Sequence, residues 1–185
     1  MEYLDVLNKD GSPTGITKDR KEVHRDGDWH RCVHVWIMND AQQLLIQKRS
    51  PTKDLYPNVW DISVAGHVDA GQTSLETAVR EIQEEIGVTV QPEQLHFLGS
   101  MHQEISQKQG GSDILHREIQ DVFLITLNLD PSSLTLQPEE VTEIKYISPS
   151  ALKEAVSTPS ETYAAHPKEY ETLFAHLAEL ALPRT

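Results

Sequence analysis

Residues 66–88 read GHVDAGQTSLETAVREIQEEIGV. Within this stretch Leu75, Ala78, Val79, Ile82 and Ile86 recur at the spacing of one helical face, which predicts an amphipathic helix over Ser74–Ile86. Both ends are marked. Thr73 can cap the first-turn amides while Glu76, three residues on, reaches back in a capping box, and Gly87 offers a left-handed stop. At 100° per residue, Glu81, Glu84 and Glu85 fall within an arc of about 100° beside the apolar stripe. Acidic helix faces are often only solvated, and like charges three or four apart cost a few tenths of a kcal/mol each. A hard divalent cation such as Mg²⁺ or Mn²⁺, which takes carboxylate oxygens, waters and substrate phosphates as ligands, would reverse that sign.

Outward from the helix, strands are predicted at 30–38, 44–48, 60–65, 95–104, 118–127 and 144–147, where β-branched or alternating residues lie between turn residues. Asn39-Asp40 closes the first two as a hairpin. Residues 3–7 and 15–17, joined through Asn8-Lys9-Asp10-Gly11, form a second, N-terminal hairpin that extends the fold over residues 1–28. A helix over Pro167–Leu180 is expected to bury Tyr170, Leu173, Phe174, Leu177 and Leu180, and a short one over 149–156 starts at a proline. Strands with one helix early and another late imply an α/β/α sandwich around a mixed central sheet, and 185 residues with 38% apolar content suit a single domain.

The chain carries 16 Lys and Arg against 29 Asp and Glu, a formal charge of −13, which disfavours a nucleic acid polymer as partner. It has no apolar run long enough to span a membrane and no basic-then-apolar leader, so a cytoplasmic location is expected. The single cysteine, Cys32, excludes an internal disulfide and is expected as a plain core residue. Oligomeric state is not readable, and a homo-oligomer stays open.

Gly66, Arg80, Glu81, Ile82, Glu84, Glu85, Gly87 and Val88 match eight of the nine defined positions of the Nudix box, Gx5Ex7REUxEExGU, where U is a bulky aliphatic. The chain therefore resembles the Nudix hydrolases over the box and over the strands around it. The ninth position, a Glu in the pattern, is Gln72, so weakened loop ordering is expected together with a surviving metal site. The resemblance implies metal binding at Glu81, Glu84, Glu85 and Gly66, with Arg80 orienting one of the carboxylates. It also implies Mg²⁺ (or Mn²⁺) as cofactor and a small organic diphosphate as substrate.

Three further segments, HRCVHVWIMND from residue 30, LLIQKRSPTKDLYPNVWDISVAGHVDAG from residue 44 and HREIQDVF from residue 116, resemble type I isopentenyl-diphosphate isomerase. That enzyme protonates one carbon and deprotonates another with a Cys just before its Gly-His and a Glu on a later strand. Here Ala65 stands in the cysteine's place, and a methyl group cannot shuttle a proton. The intact REUxEE carboxylates also favour hydrolysis. By the same resemblance His24, His30, His67 and Glu118 match a second metal site, with His116 where another Glu would stand, against the alternative of surface or phosphate-contacting histidines. Glu118 is also a candidate base, with Glu104 its rival and Glu84 and Glu85 further possibilities. Arg49, Lys53 and Arg20 are the candidate diphosphate contacts, set against the alternative of solvated loop charges.

Three readings follow. The first is a metal-dependent hydrolase that cleaves a diphosphate linkage in a nucleoside diphosphate derivative or another small organic diphosphate. The others are an isomerase-like activity and a non-catalytic diphosphate sensor, for which Gln72 is the only sign. Substrate identity is assigned to the loops at 50–58 and 106–116, and Trp29, Tyr56 and Trp60 are candidates either for stacking or for packing.

Overall fold

The computed structural model describes residues 2–53, 55–109, 112–159 and 161–180. Strands β1 (Tyr3–Leu7) and β2 (Pro13–Asp19) form the N-terminal hairpin, with Gly11 at φ 84° in its turn. The axis of the mixed sheet is β3 (Trp29–Met38), which pairs in parallel with β8 (Ser112–Thr126) along its whole length. On its other side β3 meets β6 (Val64–His67) and, at its end, β4 (Leu44–Arg49), both antiparallel. Next to β4 lie β5 (Trp60–Asp61) and β9 (Val141–Ile147), and next to β8 lies β7 (His96–Gln109).

Alternation along β3 explains the layers. Val33, Val35 and Ile37 point to one side, where Ala78, Ile82 and Ile86 of α2 (Ser74–Ile86) cover them. Trp36 and Met38 point to the other, against Tyr170 and Leu173 of α4 (Pro167–Leu180) and Leu152 of α3 (Pro149–Ala155). The expected sandwich is thus formed by a two-faced strand and two one-faced helices. Helix α2 has the caps read from its sequence: Thr73 Oγ1 accepts from Glu76 N, Glu76 Oε2 accepts from Thr73 N at 2.9 Å, and Gly87 has φ 75°.

The structure departs from expectation in four places. The strand predicted at 60–65 is broken, because Ser63 turns its hydroxyl into the ladder, donating to Leu45 O at 2.6 Å and accepting from Ile37 N at 2.8 Å. That exchange moves the chain from its place beside β4 to one beside β3. Residues 20–26, read as part of a hairpin extension, form α1 (Arg20–Asp26), capped by Asp19 and ended by Gly27 at φ 67°. Residues 106–116, expected as a substrate-selecting loop, belong largely to β7 and β8, which continue as a paired ribbon. Leu75 and Leu180 sit at the outer ends of their helices and are 36% and 43% exposed instead of buried.

The loop before α2 is held from the N-terminal hairpin. Ala70 N donates to Tyr3 O at 2.8 Å and Gly71 N to Asp5 Oδ2 at 2.9 Å, so the loop is tied down despite Gln72. Among the described residues no helix is long and apolar enough to cross a membrane.

Candidate active site

Gly66 and His67 are consecutive on β6, so their outward directions lie on opposite faces of the sheet. Each belongs to a different cluster of titratable side chains. Gly66 lies on the α2 side, and space is what requires glycine there: a Cβ would overlap the carboxylate of Glu81. Arg80, one residue earlier on the helix, holds its neighbours in place. Its Nη1 lies 2.8 Å from Glu81 Oε1 and 2.8 Å from Glu84 Oε2, and its Nη2 donates to His67 O at 3.3 Å and lies 3.5 Å from Asp69 Oδ2.

The three α2 carboxylates differ in burial. Glu84 is half exposed, Glu81 is mostly covered, and Glu85 is 2% exposed with Oε2 buried and without a hydrogen-bond partner. Burial, opposed by Arg80 and reinforced by Glu84 and Glu140, pushes the Glu81 carboxyl up to about 7. Burial together with Glu81 and Glu140 raises Glu85 well above the usual carboxylate range. Glu140 was missed in the sequence. The turn at 137–140 brings it here, docked by Gln137 N on Glu85 O at 3.0 Å and by Ser50 N on Glu140 O at 2.9 Å, and Lys53 pairs with its carboxylate.

On the other face, His24 from α1, His30 from β3 and His67 from β6 bring ring nitrogens within 4.8 Å of one another. His30 Nδ1 donates to Asp28 O at 3.1 Å, while His30 Nε2 and His24 Nε2 are buried without partners. Burial, and then the adjacent rings, push His24 down to about 3 and His30 to about 4, so both are neutral with a lone pair to offer. The His116 ring is 5.3 Å from that of His24. Burial opposes ionisation of Glu118, yet His30, His67 and His34 pull its carboxyl down to about 2. The Cys32 thiol donates to Glu118 Oε2 at 3.7 Å and Gln120 Nε2 does so at 3.1 Å, so the cysteine is buried as expected but faces this site.

One cavity of about 400 Å³ is lined by Glu81, Glu84 and Glu140 from the first cluster and by His24, His67 and Glu118 from the second, whereas Glu85 and His30 are not among its lining residues. Its far wall is a buried ionic chain: Arg49 Nη1 donates to Asp61 Oδ2 at 3.1 Å, and His166 Nε2 donates to Asp61 Oδ1 at 2.9 Å. Burial opposes the charge on His166, but Asp61 and then Glu169 raise it to about 9. Glu169, on α4, accepts from His34 Nδ1 and Trp36 Nε1, both at 2.7 Å, which pins that helix to β3.

The cavity gathers Gly66, Arg80, Glu81, Glu84, Glu118 and all three candidate phosphate contacts. Of those three, Arg20 is paired with Glu2, Arg49 with Asp61 and Lys53 with Glu140. Glu104 stands apart, in an exposed ion pair with Arg117 at 2.8 Å. Tyr56 lines the cavity, whereas Trp60 packs under Lys145 and Trp29 against His102. Ala65 is paired with His34, and the thiol that lines the same cavity is that of Cys32 on β3. Glu2, Asp61 and His166 were not singled out in the sequence, because their partners lie far along the chain.

The donor set fits divalent cations at both clusters. A buried carboxylate oxygen and two buried imidazole nitrogens without partners are the groups a cation would satisfy, and hard oxygens on one face with neutral imidazoles on the other are suitable ligands.

The NUDIX domain family matches residues 28–167. Nudix hydrolase 3 of Arabidopsis thaliana is 44% identical over 179 residues, covering 94% of this chain, which spans only 23% of the plant protein's length. An uncharacterized Nudix hydrolase of Listeria innocua is 38% identical over 153 residues, 83% of each chain. Isopentenyl-diphosphate Delta-isomerases are also relatives, that of Escherichia coli at 27% identity over 159 residues, 85% of this chain and 84% of that one. Among solved structures, DR0079 from Deinococcus radiodurans superposes with a TM-score of 0.70 at 22% identity over 94% of this chain and 98% of that one, a likeness of fold.

Proposed function

The chain belongs to the Nudix family, and from that premise we propose that it is a metal-dependent hydrolase of a diphosphate linkage in a nucleoside diphosphate derivative or other small organic diphosphate. The observation that carries the reading is Glu85 Oε2, buried without a partner beside Glu81 and Glu140, where a cation, in place of a proton, relieves both the desolvation and the like-charge crowding.

In this reading Glu81, Glu85 and Glu140 hold Mg²⁺ or Mn²⁺ on the α2 face, with Gly66 giving Glu81 room. His24, His30, His67 and Glu118 hold a second divalent cation on the opposite face. When bound, such ions neutralise phosphate charge and make water acidic enough to attack phosphorus. The protein does the rest. Arg80 fixes the directions of Glu81 and Glu84, so the carboxylates do not reorganise during the reaction. Lys53 and Arg49, held at the cavity wall by Glu140 and Asp61, turn toward the phosphates and orient them for in-line attack. A carboxylate of the α2 cluster takes the proton of the attacking water, and a phosphate ester leaves.

The isomerase reading gains no support at position 65, and Cys32, the only thiol in the chain, is engaged with Glu118. The test is a panel of nucleotide sugars, dinucleotides, nucleoside triphosphates and prenyl diphosphates with Mg²⁺ or Mn²⁺, followed by chromatography of the phosphates and phosphate esters released. Turnover that disappears in Glu85→Gln supports the proposal. A panel without turnover, in which one compound still raises the melting temperature, supports a sensor instead.

A further inference from the structure

The N-terminal hairpin reaches the histidine cluster through one side chain. Glu2 Oε1 lies 3.2 Å from His67 Nδ1, and Glu2 Oε2 lies 3.2 Å from Arg20 Nη1. The placement is built by the backbone, not by chance proximity: Arg20 N donates to Glu2 O at 2.9 Å, and Leu4 bridges Asp69 in the loop that follows His67. Glu2 and Arg20 both line the cavity.

An imidazole carries one proton when neutral, and a hydrogen bond from one nitrogen decides which nitrogen keeps its lone pair. The Asp28 carbonyl does this for His30, whose Nε2 is left buried and unpaired within the cluster. Glu2 stands in the same relation to His67, but as a carboxylate, which makes the ring more electron-rich than a carbonyl would. Such outer partners orient a ligand histidine and raise its basicity.

We propose that Glu2 is a positioning residue of the histidine centre: by accepting from His67 Nδ1 it fixes the tautomer and ring direction that leave Nε2 free to ligate a divalent cation, while Arg20 holds the carboxylate in place. The assignment rests on the proposed second cation and adds an N-terminal residue outside the NUDIX match, which begins at residue 28.

The probe is Co²⁺, titrated into metal-free protein and followed by visible absorption. Wild type is expected to take up one Co²⁺ at the histidine centre, with ligand-field bands that vanish in His30→Ala. Glu2→Gln is expected to weaken that uptake about 10- to 100-fold while leaving the band positions unchanged, because the direct ligands are the same. Long-range ¹H–¹⁵N spectra of metal-free wild type, which need no variant, are expected to place the His67 proton on Nδ1. A proton on Nε2, or equal Co²⁺ affinity in wild type and Glu2→Gln, overturns the assignment. Hydrolysis in the substrate panel, measured alongside, separates the two proposals: unchanged Co²⁺ affinity in Glu2→Gln with hydrolysis intact overturns the role of Glu2 and leaves the hydrolase standing, and weakened affinity without hydrolysis does the reverse.

Discussion

Gly66 and Glu81 are packed so closely that a methyl group on the glycine would overlap the carboxylate. The glycine here is a matter of volume, since the side chain it accommodates belongs to a cluster that lines the cavity. Gly66→Ala forces Glu81 out of place. Overpacking of this kind costs about 1–3 kcal/mol, and displacing a reacting constellation by an ångström costs roughly 100-fold in rate. Urea melts and hydrolysis kinetics on the variant check both, with the larger effect expected on activity.

Glu81, raised to about 7, and Glu85, raised well above the usual carboxylate range, bind protons in the folded state that the unfolded chain releases near 4.5. Between those values the folded state holds more protons, so stability of the metal-free protein falls as pH rises through about 4.5 to 7. Mg²⁺ is expected to restore it above pH 7 and to displace protons on binding, which calorimetry in buffers of different ionisation enthalpy detects. Glu85→Gln removes one crowded charge. It is expected to melt higher than wild type at pH 8 without metal, to lose the Mg²⁺ effect, and to hydrolyse more than about 100-fold more slowly, since even outer partners of a metal contribute 10- to 100-fold.

The sign is the same for the His166–Asp61 pair, at a higher pH. His166 is raised from 6.5 to about 9 against the effect of burial, mainly by Asp61. Its contribution is complete below about 6.5 and is lost as pH rises through 9. Wild type is therefore expected to lose stability in urea titrations between pH 6.5 and 9, and His166→Gln to flatten that segment.

Gln72, the departure from the Nudix box, is exposed, and its Oε1 accepts from Thr77 Oγ1 at 3.3 Å. It touches none of the α2 carboxylates, and Asp69 already supplies a loop carboxylate to Arg80 at 3.5 Å. Gln72→Glu is expected to change kcat/KM less than about twofold. By placing a negative charge beside the N-terminus of α2 it is expected to add about 0.3–1 kcal/mol of stability, read from the urea midpoint.

What the sequence disclosed was what is local. Helix α2 announces itself through five apolar residues at helical spacing and a capping box three residues wide, and β3 through alternation imposed by burial on both faces. Helix α1 could not be read this way because only Val23 is buried along it, so no apolar period exists to find. The ribbon of β7 and β8 over residues 106–116 is polar and carries Gly110-Gly111, which is why the sequence reads as a loop where the backbones pair. Glu81, Glu84 and Glu85 were legible as a patch, but Glu140 joins them from 55 positions beyond Glu85 through two backbone hydrogen bonds. His166 reaches Asp61 across 105 positions. Pairings of that span leave no periodic trace in a single chain.

Strand β6 is only four residues long, yet it aims Gly66 at one group of titratable side chains and His67 at another. Slipping it against β3 by one residue would turn the imidazole into the carboxylates and the glycine toward the rings, so both centres would be disarmed by one event. The alignment of Cys32 with His67 and of Val33 with Gly66 thus sets which cluster each side of the strand joins. In the proposed hydrolase, a mispaired molecule would lose both cation sites together.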